Sequence, residues 1–221
     1  CGYLVGDGES VKAATLFSGV GAPECAMSEW DWRFSAEIEP FPSAVHATRF
    51  PGLPNLGDVT AADFIERALA CGPIDVLVFG SPCQSFSVAG KRLGLDDPRG
   101  NLALVALGIA RQLRPRWLVF ENVPGLFSSD DGRDYGAFLG LMEQCGYLGA
   151  WRVLNAEHFG VPQRRRRIFF VGYLGDWRPP FAVLFEPESL SGNPPPRRET
   201  GKDVAPTISA RTKGGGGLGT D

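Results

Sequence analysis

Residues 74–79 read IDVLVF and run directly into Gly80-Ser81-Pro82-Cys83-Gln84-Ser85. A short run of branched and aromatic residues, apolar toward both sides, is the pattern of a strand buried on both faces. WLVF at 117–120 repeats that pattern. Between the two, Leu102, Val105, Ile109 and Leu113 recur at helical spacing, with Arg111 and Arg114 elsewhere on the wheel. Buried strand, helix, buried strand is a crossover unit, and it selects an α/β fold.

Working outward, the same alternation continues in both directions. KAATLF at 12–17 predicts a strand that ends in the glycine loop Ser18-Gly19-Val20-Gly21. A second strand is expected over Arg33–Ile38, a helix after Pro40, a short strand before Asp58, and a helix over Thr60–Ala70 with Thr60 as its N-cap. Tyr135–Cys145 reads as a further helix, and Trp151–Leu154 and Ile168–Tyr173 as closing strands. The sum is a doubly wound, mostly parallel α/β sheet of Rossmann-like type, whose ligands belong outside the carboxyl ends of the strands.

The chain has 221 residues, 43% hydrophobic and 21% charged, enough for one catalytic domain at roughly 100–200 residues per domain. No apolar run approaches the ~18 residues of a membrane span, so no membrane partner is expected. Cysteines stand at 1, 25, 71, 83 and 145, never two residues apart, and His46 and His158 are the only histidines, so no metal site is expected. An odd cysteine count without a signal peptide fits a reducing cytoplasm and leaves room for one functional thiol. Net charge is -3, but residues 1–90 carry four Lys/Arg against eleven Asp/Glu, whereas residues 91–221 carry eighteen against fourteen. A polyanion should therefore meet the second half.

Residues 1–11 read as an extension and 12–185 as the catalytic domain. From 186 to 221 seven Gly and five Pro mark a different, Gly/Pro-rich region. The first residue is not methionine and the last lies in a glycine-rich run, so a fragment of a longer polypeptide is expected.

The strand exits carry the chemistry. Gly19 and Gly21 let the backbone turn tightly and approach a ligand. Glu24 stands where a dinucleotide fingerprint wants its third glycine, which disfavours a pyrophosphate seat. Glu39 beyond the second strand can accept from ribose hydroxyls, and Asp58 beyond the third from an adenine amino group. Cys83 follows the fourth strand, where a thiolate is favoured and exposed; Cys25, Cys71 and Cys145 read as ordinary structural thiols. Glu121 leaves the fifth strand on the same rim, where a carboxyl can share a proton with a ring nitrogen. On extended backbone Gln163, Arg165 and Arg167 face one way and Arg164 and Arg166 the other, so one set can reach the pocket and the other can reach phosphates.

FSGVG, GSPCQSFS, ENV and NAEHFGVPQRRRRIFFVG, in this order and spacing over residues 13–173, resemble the DNA (cytosine-5) methyltransferase family of bacterial or phage type. The resemblance implies S-adenosylmethionine as cofactor, double-stranded DNA as substrate, and transfer of a methyl group to C5 of a flipped cytosine through a covalent bond from Cys83 to C6. Glu121 would act at N3, and Arg165 or Arg167 would hold the cytosine O2. Phe17, Ser18, Gly19, Gly21, Glu39, Pro40, Asp58, Val59, Pro82 and Leu102 would line the cofactor cavity. Gln84, Ser85, Ser87, Lys91, Arg92, Gln163, Arg164 and Arg166 would meet DNA, the stretch 85–101 resembling the family's mobile loop. Residues 186–221 would begin a target-recognition region, C-terminally truncated. The resemblance also implies a restriction-modification system with a cognate endonuclease as functional partner, a monomer, and a bacterial cytoplasm, or host cytoplasm if phage-encoded. Competing readings are a catalytically incompetent DNA-binding fragment, a tRNA cytosine-5 methyltransferase and, more remotely, a nicotinamide oxidoreductase.

Overall fold

A computed structural model describes residues 9–82 and 102–185. The extension through residue 8, the stretch 83–101 with Cys83, Gln84, Ser85, Ser87, Lys91 and Arg92, and the Gly/Pro-rich 186–221 lie outside the described residues.

Six strands form one sheet: β1 (Lys12–Leu16), β2 (Asp31–Phe34), β3 (Val76–Phe79), β4 (Trp117–Asn122), β5 (Tyr147–Asn155) and β6 (Arg166–Leu174), in the order β2-β1-β3-β4-β6-β5. The helices are α1 (Ala22–Ala26), α2 (Pro40–Arg49), α3 (Phe64–Ala70), α4 (Leu102–Leu113), α5 (Arg133–Gln144) and α6 (Arg178–Leu184). Strands β2, β1, β3 and β4 are parallel neighbours, while β6 runs antiparallel to both β4 and β5. The expected mostly parallel, doubly wound sheet is therefore present with one reversed strand. The cause is the connection. β5 reaches β6 through a short loop with a 3-10 turn at Ala156–Phe159 instead of a crossover helix, and a short link can join only antiparallel strands.

Side chains sort by strand period. Leu16, Leu77, Phe79, Leu118, Phe120, Ile168 and Phe170 pack into the main core with Phe64 of α3, Leu107 of α4 and Phe138 of α5. Phe120 meets Phe79 at 5.2 Å and Phe138 at 4.7 Å between ring centroids. The opposite face carries Ala13, Val76, Trp117 and Val171, against which Trp32 and Leu184 of α6 pack. Near β1 this second face is held by a polar network: buried Thr15 donates to Glu24 of α1, and the same carboxylate oxygen lies 3.3 Å from His46 Nε2 of α2.

Several expected boundaries move. The second strand stops at Phe34 rather than Ile38, and this shift decides which acid stands at its exit. No strand precedes Asp58; a single bridge from Ser35 to Asn55 occupies that place. Thr60 is not an N-cap. Its backbone N–H and hydroxyl both bond Asp58 Oδ1 at 2.8 Å, forming a turn, and α3 begins only at Phe64 after Asp63. An Asp side chain bonding the backbone two residues on competes with helix at that point.

The β5–β6 pairing is tight enough to test. A Cβ at Gly149 would collide with the Val171 carbonyl and come within 2.8 Å of Gly172 Cα. Gly149→Ala is expected to lower stability by about 1–3 kcal/mol, read from the urea midpoint; an unchanged midpoint contradicts the pairing.

Candidate active site

The reversed strand sets the geometry. Because β6 is antiparallel to β4, its first residues lie where β4 ends, and Glu121 pairs in register with Phe169. The two-residue period puts Arg167 and Arg165 on the same side as Glu121. Arg167 Nε lies 3.0 Å from Glu121 Oε1 and Arg165 Nη2 at 4.0 Å from the same oxygen. Glu121 and Arg167 are partly buried and Arg165 is half exposed, so the trio opens to the rim. On the other side, exposed Arg164 approaches Glu157 with Nε to Oε2 at 3.8 Å. Arg166 is exposed, and Gln163 is partly buried with its N–H bonded to the Val161 carbonyl at 2.8 Å.

The exit of β3 is pressed onto the same point. A Cβ at Gly80 would come to 3.1 Å from Glu121 Oε2 and 3.4 Å from the Glu121 carbonyl, so a side chain there would crowd Glu121 and shift its carboxyl group by a few tenths of an ångström. Asn122 Nδ2 donates to the Ser81 carbonyl at 3.1 Å, tying the two exits together. Ser81 is buried, and its hydroxyl has no partner among the described residues; exposed Pro82 is the last described residue before Cys83 in the chain.

Beyond β1 the backbone turns sharply. Phe17, Gly19 and Gly21 all have positive φ, at 56°, 56° and 83°. A Cβ at Gly21 would strike Phe50 and His46, whereas one at Gly19 would meet nothing within 4 Å. Ser18 is buried and anchors the loop: its hydroxyl lies 2.7 Å from Thr15 Oγ1 and accepts the Ala36 N–H at 3.0 Å. Glu37, not anticipated from the sequence, accepts the Gly19 N–H through Oε2 and the Glu39 N–H through Oε1, both at 2.8 Å. Glu39 and Pro40 are exposed at the start of α2. Because β2 ends at Phe34 and does not run on to Ile38 as its apolar pattern suggests, Glu37 is the exit acid. Asp58 is exposed, Val59 beside it buried, and Leu102 partly buried at the first turn of α4. Hydrogen bonds from the Thr60 backbone and then its hydroxyl hold the Asp58 carboxyl below the ordinary aspartate range.

This rim fits a nucleoside cofactor without phosphates. The loop is open at Gly19, and Glu37 and Asp58 offer acceptors to hydroxyls and amino groups. Acids around the loop, with Glu24 beneath it, oppose a pyrophosphate and suit a cationic group. Of the described cysteines, burial pushes the Cys145 thiol up, Cys71 lies against the Arg67 carbonyl, and Cys25 is exposed on α1. Among the described residues there is no cluster of metal-ligating side chains, and no helix is long and apolar enough to cross a membrane.

Residues 11–210 match the family model for the C-5 cytosine-specific DNA methylase. The chain belongs to that family. It is 37% identical to the type II methyltransferase M.AquIA of Picosynechococcus over 73% of this chain and 71% of that protein. It is 38% identical to a protein of Escherichia phage P1 named DNA N-6-adenine-methyltransferase, over 89% of this chain but 33% of the phage protein. Type II methyltransferase M.NgoBV of Neisseria gonorrhoeae is 37% identical, with 75% of this chain and 42% of that protein covered. The chain thus spans well under two thirds of the phage and gonococcal relatives. Among solved structures, a DNMT2 variant from Spodoptera frugiperda superposes with a TM-score of 0.57 at 26% identity, covering 76% of this chain and 51% of that one.

Two expectations follow from the site geometry. Gly80→Ala should leave the fold intact while lengthening the Arg167–Glu121 contact; a crystal structure of the variant with that contact still at 3.0 Å would contradict it. In an NMR titration Asp58 should have a midpoint below the usual aspartate value, and Thr60→Val should raise it without fully restoring it, because the backbone bond remains. The sign is that of a depressed acid: the turn is supported above the midpoint and loosens as pH falls through it. An Asp58 midpoint unmoved by Thr60→Val would disprove the hydroxyl's part.

Proposed function

We propose that this chain supplies the catalytic domain of a DNA (cytosine-5) methyltransferase, acting on duplex DNA through a covalent bond between Cys83 and the cytosine ring. The observation that carries the reading is the meeting of Glu121, Arg165 and Arg167 beside Gly80, on the β3 exit that leads to Cys83. Family membership supports it.

In this reading the Cys83 thiolate adds to C6, forming the Sγ–C6 bond and making C5 nucleophilic. Glu121 as a carboxylic acid gives its proton to N3, cancelling the negative charge that thiolate addition puts on the ring, and takes it back when the Sγ–C6 bond breaks; Arg167 steadies the carboxylate formed in between, and Arg165 would reach O2. After methylation a base takes the C5 proton, the electrons re-form the ring double bond, and the Sγ–C6 bond breaks. S-adenosylmethionine, when bound, supplies the methyl group. Phe17, Ser18, Gly19 and Gly21 shape its seat. Glu37 is better placed than Glu39 for its ribose hydroxyls, and Asp58 with Val59, Pro40, Pro82 and Leu102 for the remainder. Swinging the cytosine out of the duplex costs about a few kcal/mol, offset by contacts from Arg164, Arg166 and Gln163 and from Gln84, Ser85, Ser87, Lys91 and Arg92 in the loop. Residues 186–221 would open the region that reads the target sequence.

The test is trapping. With S-adenosylmethionine and a duplex containing 5-fluorocytosine, fluorine blocks loss of the C5 substituent, so a denaturation-resistant adduct should form with the native chain and not with Cys83→Ser. Glu121→Gln should slow adduct formation by about a hundredfold or more while leaving the melting temperature unchanged. Adduct formation by Cys83→Ser, or a Glu121→Gln rate equal to native, would overturn the assignment. Preferential reaction with transfer RNA would move the substrate from DNA to RNA.

A further inference from the structure

The corner between β5 and β6 contains a set of hydrogen bonds that the reaction scheme above does not use. Asn155, the last residue of β5, accepts the Arg165 N–H through Oδ1 at 3.0 Å. Its neighbour Ala156 donates its own N–H to the Arg165 carbonyl, also at 3.0 Å. Both backbone polar groups of Arg165 are thus captured by consecutive residues. The other half of the Asn155 amide, Nδ2, donates to Glu157 Oε1. Glu157 in turn lies 3.9 Å from His158 Nε2 through that oxygen and 3.8 Å from Arg164 Nε through the other.

We infer that Asn155 and Glu157 are positioning residues of the reaction centre: they fix the backbone at Arg165 so that Arg165 and Arg167 converge on Glu121 while Arg164 is drawn the opposite way. The inference rests on the proposed function for its catalytic meaning, and on the hydrogen bonds alone for its structural one. Arg165 precedes β6, which begins at Arg166, so the sheet ladder does not by itself hold it. Without the clamp a one-residue slip of register at this point would exchange the sides taken by Arg164 and Arg165, because adjacent side chains on extended backbone point oppositely. The amide of Asn155 is suited to the task. Its oxygen serves Arg165 while its nitrogen serves Glu157, and an aspartate would confront the Glu157 carboxylate with a like charge.

That chemistry supplies a rescue test. Asn155→Ala should abolish protection of the Arg165 amide in hydrogen exchange and lower kcat for methyl transfer about tenfold to a hundredfold, with KM for S-adenosylmethionine within about twofold of native, since the cofactor loop lies beyond a different strand. Asn155→Asp should behave similarly. Asn155→Asp combined with Glu157→Gln restores one donor facing one acceptor, and should recover both the protected amide and most of the rate, which a general loss of stability would not do. An Arg165 amide equally protected in Asn155→Ala would overturn the clamp. Lost protection with native kcat, or failure of the double variant to recover, would overturn the positioning role. A native chain that neither turns over nor traps 5-fluorocytosine would instead count against the proposed function, and the exchange measurement still decides the clamp.

Discussion

The architecture of the site depends on one antiparallel pairing. Had β6 followed the parallel direction of its neighbours, its first residues would lie at the amino ends of the strands, a full strand length from Glu121. Reversal brings the arginine string to the carboxyl rim, and the register Asn122 to Ile168 brings Arg167 to 3.0 Å from the acid. The carboxylate and guanidinium are only partly buried, so the pair costs less desolvation than a buried one and remains open to a third polar group. In the proposed reaction a substrate ring would meet an acid already oriented, the kind of preorganisation that lowers a barrier without reorganisation during the reaction.

The rim divides electrostatically. Acids cluster around the glycine loop beyond β1 and β2, with Glu37 on the Gly19 N–H and Glu24 beneath the loop beside Thr15 and His46. Guanidinium groups gather at the β4–β6 end. A cationic cofactor and an anionic nucleic acid would each find the favourable half, and the sulfonium methyl and the pyrimidine would meet between them at the β3 exit. Gly80 is the contact point between halves, where a side chain would crowd Glu121.

Much of this was legible in the residues. IDVLVF and WLVF gave the central strands because residues buried on both faces leave an unmistakable apolar run. Strict alternation separated Arg165 and Arg167 from Arg164. Three things escaped. The end of β2 was misplaced because Ser35, Ala36 and Ile38 continue to look strand-like, although the chain leaves the β1–β2 pairing after Phe34; the misplacement hid Glu37. The Asp58–Thr60 turn carries the same residue types as a helix start, so residue type alone does not separate the two. The direction of β6 follows from the length of its connection to β5, which the apolar pattern of the strands does not carry. The clamp of Asn155 on Arg165 spans ten positions and carries no local periodic signal.

The Cys83 thiol and the Glu121 carboxyl are proposed to act on one pyrimidine. A crystal structure of the trapped 5-fluorocytosine complex tests this most directly. The account requires electron density linking Sγ of Cys83 to C6, with a Glu121 oxygen within hydrogen-bonding distance of N3 on the same ring. A ring bound elsewhere, or bonded to the thiol while Glu121 remains engaged only with its arginines, would contradict it.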